Sequence, residues 1–199
     1  MQKCQSREPL DDMGMVFQNF ALLPWLNVKE NVLFGSDAQG VSRKHSQQKA
    51  SSLIKKMGLE GFEHAYVNEL SGGMKQRVGF ARALMIEPEI LFFDEPFSSL
   101  DIATAKHLRE DILQLWLNKQ ISTKSMVLVT HSVEEAILLA DRVVIFDSHP
   151  GRVHYEHKVD FAHPRNLRSP EIMQVIDLLS DKMYSLNQQI SAKKVVSVV

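Results

Sequence analysis

Two short apolar runs constrain the fold of this chain more than any other feature. Ile90-Leu91-Phe92-Phe93 and Met126-Val127-Leu128-Val129 are apolar on successive residues and too short to be helices. Such runs suit strands of a parallel sheet that is buried on both faces. Between them, Ile102, Ala105, Leu108, Ile112 and Leu115 recur at helical spacing. A second helix over 132–140 leads into Val143-Val144-Ile145-Phe146. This alternation of strand and helix predicts a doubly wound α/β core.

The flanks extend the pattern. Met15-Val16-Phe17 reads as a strand entering a loop at Gln18. Residues 19–35, with Leu22, Leu23, Pro24, Trp25, Leu26 and Val28, read as an apolar loop with no clean period. Beyond Ser42, Ala50, Leu53, Ile54 and Met57 share one helical face, and Gly58 is placed to end that helix. A further helix stops near Pro88. His149-Pro150-Gly151-Arg152 reads as a turn. In the tail Ser169 caps a helix, Pro170 takes its first position, and Ile172, Val175, Ile176, Leu179, Met183 and Leu186 line one face. The expected division is 1–35, a helical subdomain over 36–88, an α/β core over 89–160, and a tail over 161–199.

Composition narrows the class. With 199 residues and 44% of them hydrophobic, the chain can bury one sizeable core. A net charge of −1 and no extended basic face argue against nucleic acid as a partner. The single cysteine, Cys4, excludes an internal disulfide framework and fits a reducing compartment. No run approaches the ~20 apolar residues of a membrane span, and no secretory leader is expected. His154 and His157, three apart in an expected strand, face opposite sides and make a poor metal pair.

The chemistry is concentrated in four places. Leu70-Ser71-Gly72-Gly73-Met74-Lys75-Gln76-Arg77 is a loop-to-helix junction: Ser71 is a preferred N-cap, and Gly72 and Gly73 lack a Cβ that would hold off another chain's ligand. Met74, Val78, Ala81 and Met85 continue the helix, so its positive end points at an anion-binding loop. An ordinary glycine turn would explain Gly-Gly alone but not eight specified residues. Asp94-Glu95-Pro96 follows directly on a strand, where ligands of open α/β sheets bind. There Asp94 can hold Mg²⁺ and Glu95 can polarise a water; an isolated acidic pair would be solvated loop. Ser98-Ser99-Leu100-Asp101 leads into the 102–116 helix with Asp101 as N-cap. His131 ends the Met126–Thr130 strand at the same edge as the acids.

In this order the motifs resemble those of ABC ATPases. The resemblance implies a P-loop NTPase type of parallel core with an inserted helical subdomain, and ATP with Mg²⁺ as cofactors. It makes Ser71, Gly72, Gly73 and Gln76 a signature face that meets a partner's nucleotide, and Asp94 and Glu95 a Walker B pair with its catalytic glutamate. Asp101 becomes a D-loop residue, His131 the switch histidine, and Gln18 the Q-loop glutamine that reaches Mg²⁺ and the attacking water. The implied partners are a second ATPase subunit, a transmembrane permease and a solute-binding protein, with the chain peripheral on the cytoplasmic face. The permease is expected at Trp25 and Leu26; for Leu22 and Leu23, docking and core are evenly balanced. Leu23-Pro24-Trp25-Leu26-Asn27-Val28-Lys29-Glu30-Asn31-Val32, Pro150-Gly151-Arg152 and Pro164-Arg165 resemble the nitrate/sulfonate/taurine importer branch.

One departure matters. None of the nine glycines is followed by lysine, so G-x-x-x-x-G-K-[ST] is absent. The family would place that loop, and the aromatic that stacks on adenine, ahead of Gln18 and beyond Met1. Half of an ATP site is therefore expected, together with low stability, because a central strand and helix would be missing. A late start or a shortened gene is favoured over a subunit that only completes a partner's site, since Glu95 and His131 have no use there. Two other classes remain open: a soluble ABC ATPase of DNA repair, opposed by the lack of sustained heptads, and a non-catalytic module that docks a membrane partner.

Overall fold

Local capping chemistry sets where the helices start in this computed structural model, which describes residues 12–38, 43–148, 151–187 and 195–198. Cys4 and the His149-Pro150 half of the expected turn lie outside the described residues. In chain order the elements are β1 (Met13–Val16), α1 (Val28–Ala38), α2 (Arg43–Lys56), α3 (Gly72–Met85), β2 (Ile90–Asp94), α4 (Ile102–Leu117), β3 (Ser125–Thr130), α5 (Val133–Leu139), β4 (Arg142–Ser148), β5 (Gly151–Lys158), α6 (Pro170–Asn187) and β6 (Val195–Val198). The Ser71, Asp101 and Ser132 side chains accept hydrogen bonds from the Met74, Thr104 and Glu135 backbone N–H groups, and so open α3, α4 and α5. Gly58, at φ +66°, closes α2 in the left-handed conformation that a Cβ would oppose.

Residues 19–35 are not all loop: from Val28 they form α1. Asn27 and Glu30 exchange backbone-to-side-chain hydrogen bonds of 2.9 and 3.0 Å, a reciprocal cap that starts the helix. Val28, Asn31 and Val32 are buried on its inner face. The cap was legible in the sequence; the polar residue among the buried positions hid the period.

The sheet runs β1-β2-β3-β6-β4-β5. β1, β2 and β3 are parallel, with Val16 opposite Phe93 and Phe93 opposite Leu128. β6 is antiparallel to both β3 and β4, so those two are parallel to each other; β5 is antiparallel to β4. Among the described residues the two faces of the sheet are covered unequally. Val16, Leu91, Phe93, Met126 and Leu128 lie in a large apolar cluster with α1–α4. On the opposite face Phe92, Val127 and Val129 are half-buried, Met15 is 43% exposed, and none of the four belongs to an apolar cluster of the described residues.

A second, smaller cluster joins Val133, Ala136, Ile137 and Ala140 of α5 to Val143 and Ile145 of β4 and to Ile172 and Leu179 of α6. Arg165 ties its loops together. Its guanidinium donates to the Phe161, Ile137 and Ala140 carbonyls at 2.9, 2.8 and 2.6 Å, the last two at the C-terminal end of α5, where a cation is favoured.

Candidate nucleotide site

Three sequence-predicted residues meet at the C-terminal edge of the parallel strands. Gln18 lies just past β1, Glu95 just past β2, and His131 just past β3. The Gln18 amide Nε2 donates to Glu95 Oε2 at 3.4 Å and to Ser98 Oγ at 3.2 Å. His131 Nδ1 lies 3.4 Å from the same Glu95 oxygen. The Glu95 side chain is only 14% exposed, whereas that of His131 is 63% exposed. Asp94 closes β2 beside Val129.

Glu95 holds this place in a left-handed backbone conformation, φ +45°, which costs a non-glycine residue roughly 1–2 kcal/mol. Its N–H donates to the Val129 carbonyl at 2.9 Å, and its own carbonyl accepts from Ser98 N–H and Ser98 Oγ at 3.2 and 2.9 Å. These flanking bonds hold the strained conformation in place.

Sequence reasoning missed the brace behind His131. Thr130 Oγ1 donates to Glu135 Oε2 at 2.7 Å, and Arg109 Nη1 pairs with Glu135 Oε1 at 2.6 Å. Arg109 also lies 5.6 Å above the Phe97 ring. These contacts tie the end of β3 to α4 and α5 and fix the backbone that carries His131. The polar residues were visible in the sequence, but their pairing spans 26 positions.

Ser71 and Gly72 are exposed at the start of α3. Gly73 is buried, and a Cβ there would collide with Thr104 Cγ2. Its missing side chain lets α3 and α4 approach. Gln76 is wholly buried, and neither end of its amide has a hydrogen-bond partner among the described residues. It backs the loop from inside and does not line its surface. Asp101, exposed at the start of α4, has its carboxyl held below the usual range by the side-chain and backbone bonds from Thr104. The Ser71 and Asp101 loops thus adjoin through the Gly73–Thr104 packing.

The loop after Gln18 is anchored from beneath. The buried Asn31 amide donates to the Leu23, Leu26 and Asn27 carbonyls, and its oxygen accepts from Leu23 N–H. Arg82 donates to the Phe20 and Ala21 carbonyls, and burial lowers its pKa. Leu22 packs on the large core. Leu26, Leu33 and Phe34 line a groove with Glu30 and Arg43, next to Trp25, which is 69% exposed.

An acid pair, an amide and an imidazole at one sheet edge suit a magnesium-bound triphosphate. No group of three His, Cys, Asp or Glu side chains among the described residues could hold a metal ion alone. A magnesium at Asp94 and Gln18 would therefore share its ligands with the phosphates and water.

Comparison with known proteins settles the family. Residues 1–98 match the ABC transporter family. The chain is 41% identical to a nitrate import ATP-binding protein of Synechocystis, over 86% of this chain and 67% of that one. This chain belongs to the ABC transporter ATP-binding family. It is 46% identical to a taurine import ATP-binding protein of Burkholderia pseudomallei over 77% of its own length, and 42% identical to an uncharacterized ABC transporter ATP-binding protein of Methanocaldococcus jannaschii over 88%. The chain spans only 58% and 66% of the lengths of those two relatives. Among solved structures, the dimeric, post-hydrolysis ATP-binding cassette MJ0796 bound to ADP and Pi matches with a TM-score of 0.62 at 32% identity, covering 77% of this chain and 65% of that one. None of the described helices is long and apolar enough to cross a membrane.

Proposed function

We propose that this chain supplies the hydrolytic edge and the partner-facing surface of an importer ATPase for taurine- or nitrate-type solutes. The observation that carries the reading is the convergence of Gln18 and His131 on one Glu95 oxygen, each at 3.4 Å. A bound magnesium nucleotide would supply the γ-phosphoryl group and the cation whose charge Asp94 would balance, with the neutral Gln18 amide oxygen as a further ligand. Glu95 then takes a proton from the attacking water, and His131 reports the terminal phosphate to α5. Ser71 and Gly72, with the opening N–H groups of α3, face the nucleotide of a second subunit, and Asp101 lies beside them at the same contact. The groove of Leu26, Leu33 and Phe34, with Trp25 at its rim, takes the permease, and a solute-binding protein delivers to that permease. Names of relatives support the importer type; the acids and histidine support hydrolysis.

The test pairs this chain's Ser71 face with a partner's phosphate loop. A taurine import ATP-binding protein whose own signature serine is replaced is mixed with residues 1–199, and phosphate release is measured. Turnover should return with the unaltered chain and be lost with Ser71→Arg. Glu95→Gln in this chain should not affect the partner's nucleotide. Equal turnover with Ser71→Arg would sink the reading.

A further inference from the structure

The residues just past β1 fold tightly, and part of that fold runs against their own side chains. Phe20 N–H donates to the Phe17 carbonyl at 3.2 Å, so Gln18 and Asn19 are the central pair of a β-turn. Ala21 N–H donates to the Asn19 carbonyl at 2.6 Å, which closes a three-residue turn about Phe20. Phe20 and Ala21 have φ of +59° and +46°, two successive left-handed residues that each carry a Cβ. No glycine lies between Met15 and Phe34 to take this conformation at lower cost.

Successive residues of one hand direct their carbonyls to one side, and a cation stands there. Arg82 Nη1 donates to the Ala21 carbonyl at 2.6 Å, and Nη2 donates to the Phe20 carbonyl at 3.1 Å. A planar guanidinium can reach two carbonyls at once from one fixed fork. The Phe20 carbonyl also lies over Gly79, 3.4 Å from where a Cβ would stand, so the turn is seated on α3 near the end opposite Ser71. The bonds of Asn31 begin only at Leu23.

On its other side the turn meets the sheet edge. The Gln18 amide reaches Glu95 Oε2 and Ser98 Oγ through long, exposed hydrogen bonds of 3.4 and 3.2 Å. Such bonds are weak against water, whereas the bonds from Arg82 are charge-assisted and the shorter of them is 2.6 Å. The fork therefore holds the strained pair, and the strained pair sets where Gln18 reaches.

We propose that Arg82 is a positioning residue for Gln18: by bracing the Phe20 and Ala21 carbonyls it keeps the left-handed pair in place and the Gln18 amide on Glu95 and Ser98. The inference rests on the reading of Gln18 as part of the hydrolytic edge. Loss of Arg82 moves the site more than it weakens the fold, because release of the strained pair offsets the lost hydrogen bonds.

The test uses isotope-labelled residues 1–199 without nucleotide and reads nuclear Overhauser cross-peaks between the Gln18 amide protons and the Ser98 β-protons. The amide signal is assigned by its absence in Gln18→Leu. The cross-peaks should be present in the unaltered chain and lost in Arg82→Met, while the melting temperature falls by less than about 4 °C. Glycine takes the left-handed conformation freely, so Arg82→Met with Ala21→Gly should regain about half of the lost intensity. An arginine that serves only the fold would not be rescued by a glycine in an exposed loop. Should Arg82→Met fail to fold, Ala21→Val decides: a β-branched residue resists φ +46°, and the cross-peaks should be lost although Arg82 is present. Cross-peaks that survive either substitution, that are absent from the unaltered chain, or that Ala21→Gly does not rescue would overturn the proposal. The expected pattern together with equal phosphate release for Ser71→Arg keeps the positioning role and removes the ATPase reading. Surviving cross-peaks with Ser71-dependent release do the reverse.

Discussion

The two apolar bodies of this molecule hold their loops by different means. In the larger, a wide cluster from α1–α4 and β1–β3 does most of the work, and the Gln18–Asn27 loop is pinned by the neutral amide of Asn31 and the side chain of Arg82. In the smaller, few apolar residues are available, and a buried cation, Arg165, gathers two carbonyls at the end of α5 and that of Phe161. The contrast teaches that the first body should tolerate the loss of one polar anchor, whereas the second should not.

The largest expected effect probes the first body's packing. Phe80, buried against Phe93 with ring centroids 5.2 Å apart, should cost about 3–5 kcal/mol on truncation to alanine, read by urea unfolding. An effect below about 1 kcal/mol would mean that this cluster is not the main source of stability. Next, Arg165→Met should cost roughly 2–3 kcal/mol, because it strands buried carbonyls that accept from a charged group. Hydrogen exchange should quicken in α5 and α6 before α3. Uniform loss across both bodies would break the comparison.

A smaller effect tests the brace at the site. Ser132→Ala removes the cap of α5 and should cost about 1 kcal/mol, with exchange at Glu135 N–H as the readout.

The smallest effect is one of pH. Burial, and then the Arg165 charge, hold the His163 pKa below its ordinary value of 6.5, against the opposing pull of Asp141. Above that value the ring is neutral in both folded and unfolded chains, so the contribution is constant. As pH falls below 6.5 the unfolded chain takes up the proton first, and stability drops through the folded pKa. Thermal melts from pH 7.5 to 5 should fall more steeply for the unaltered chain than for His163→Asn; parallel curves would remove His163 from the account.

Much of this was legible in the sequence because it is local. The caps Ser71, Asp101 and Ser132 act within three residues, and each strand run ends where its candidate site residue begins. Gln18, Asp94, Glu95 and His131 could therefore be placed at one sheet edge from sequence order and strand direction. The packing of Gly73 and the burial of Gln76 were not legible for the converse reason. Their surroundings are made by Thr104 and the core, brought near only when α3 packs on α4. The helix at Val28 was missed although its Asn27–Glu30 cap was in plain view, because Asn31 interrupts the apolar stripe. Its burial makes sense only once Leu23, Leu26 and Asn27 fold over it.

Sequence alone determined most of the helices and strands of the α/β core, the order of the motifs and the lack of G-x-x-x-x-G-K-[ST] within residues 1–199, since these depend on neighbours a few bonds away. Tertiary structure alone decided which sheet face the large apolar cluster of the described residues covers, that Arg109 and Glu135 steady the end of β3, and that Val195–Val198 enters the middle of the sheet. Those outcomes follow from which backbone edges and apolar surfaces find one another across long stretches of chain, and no local pattern encodes that choice.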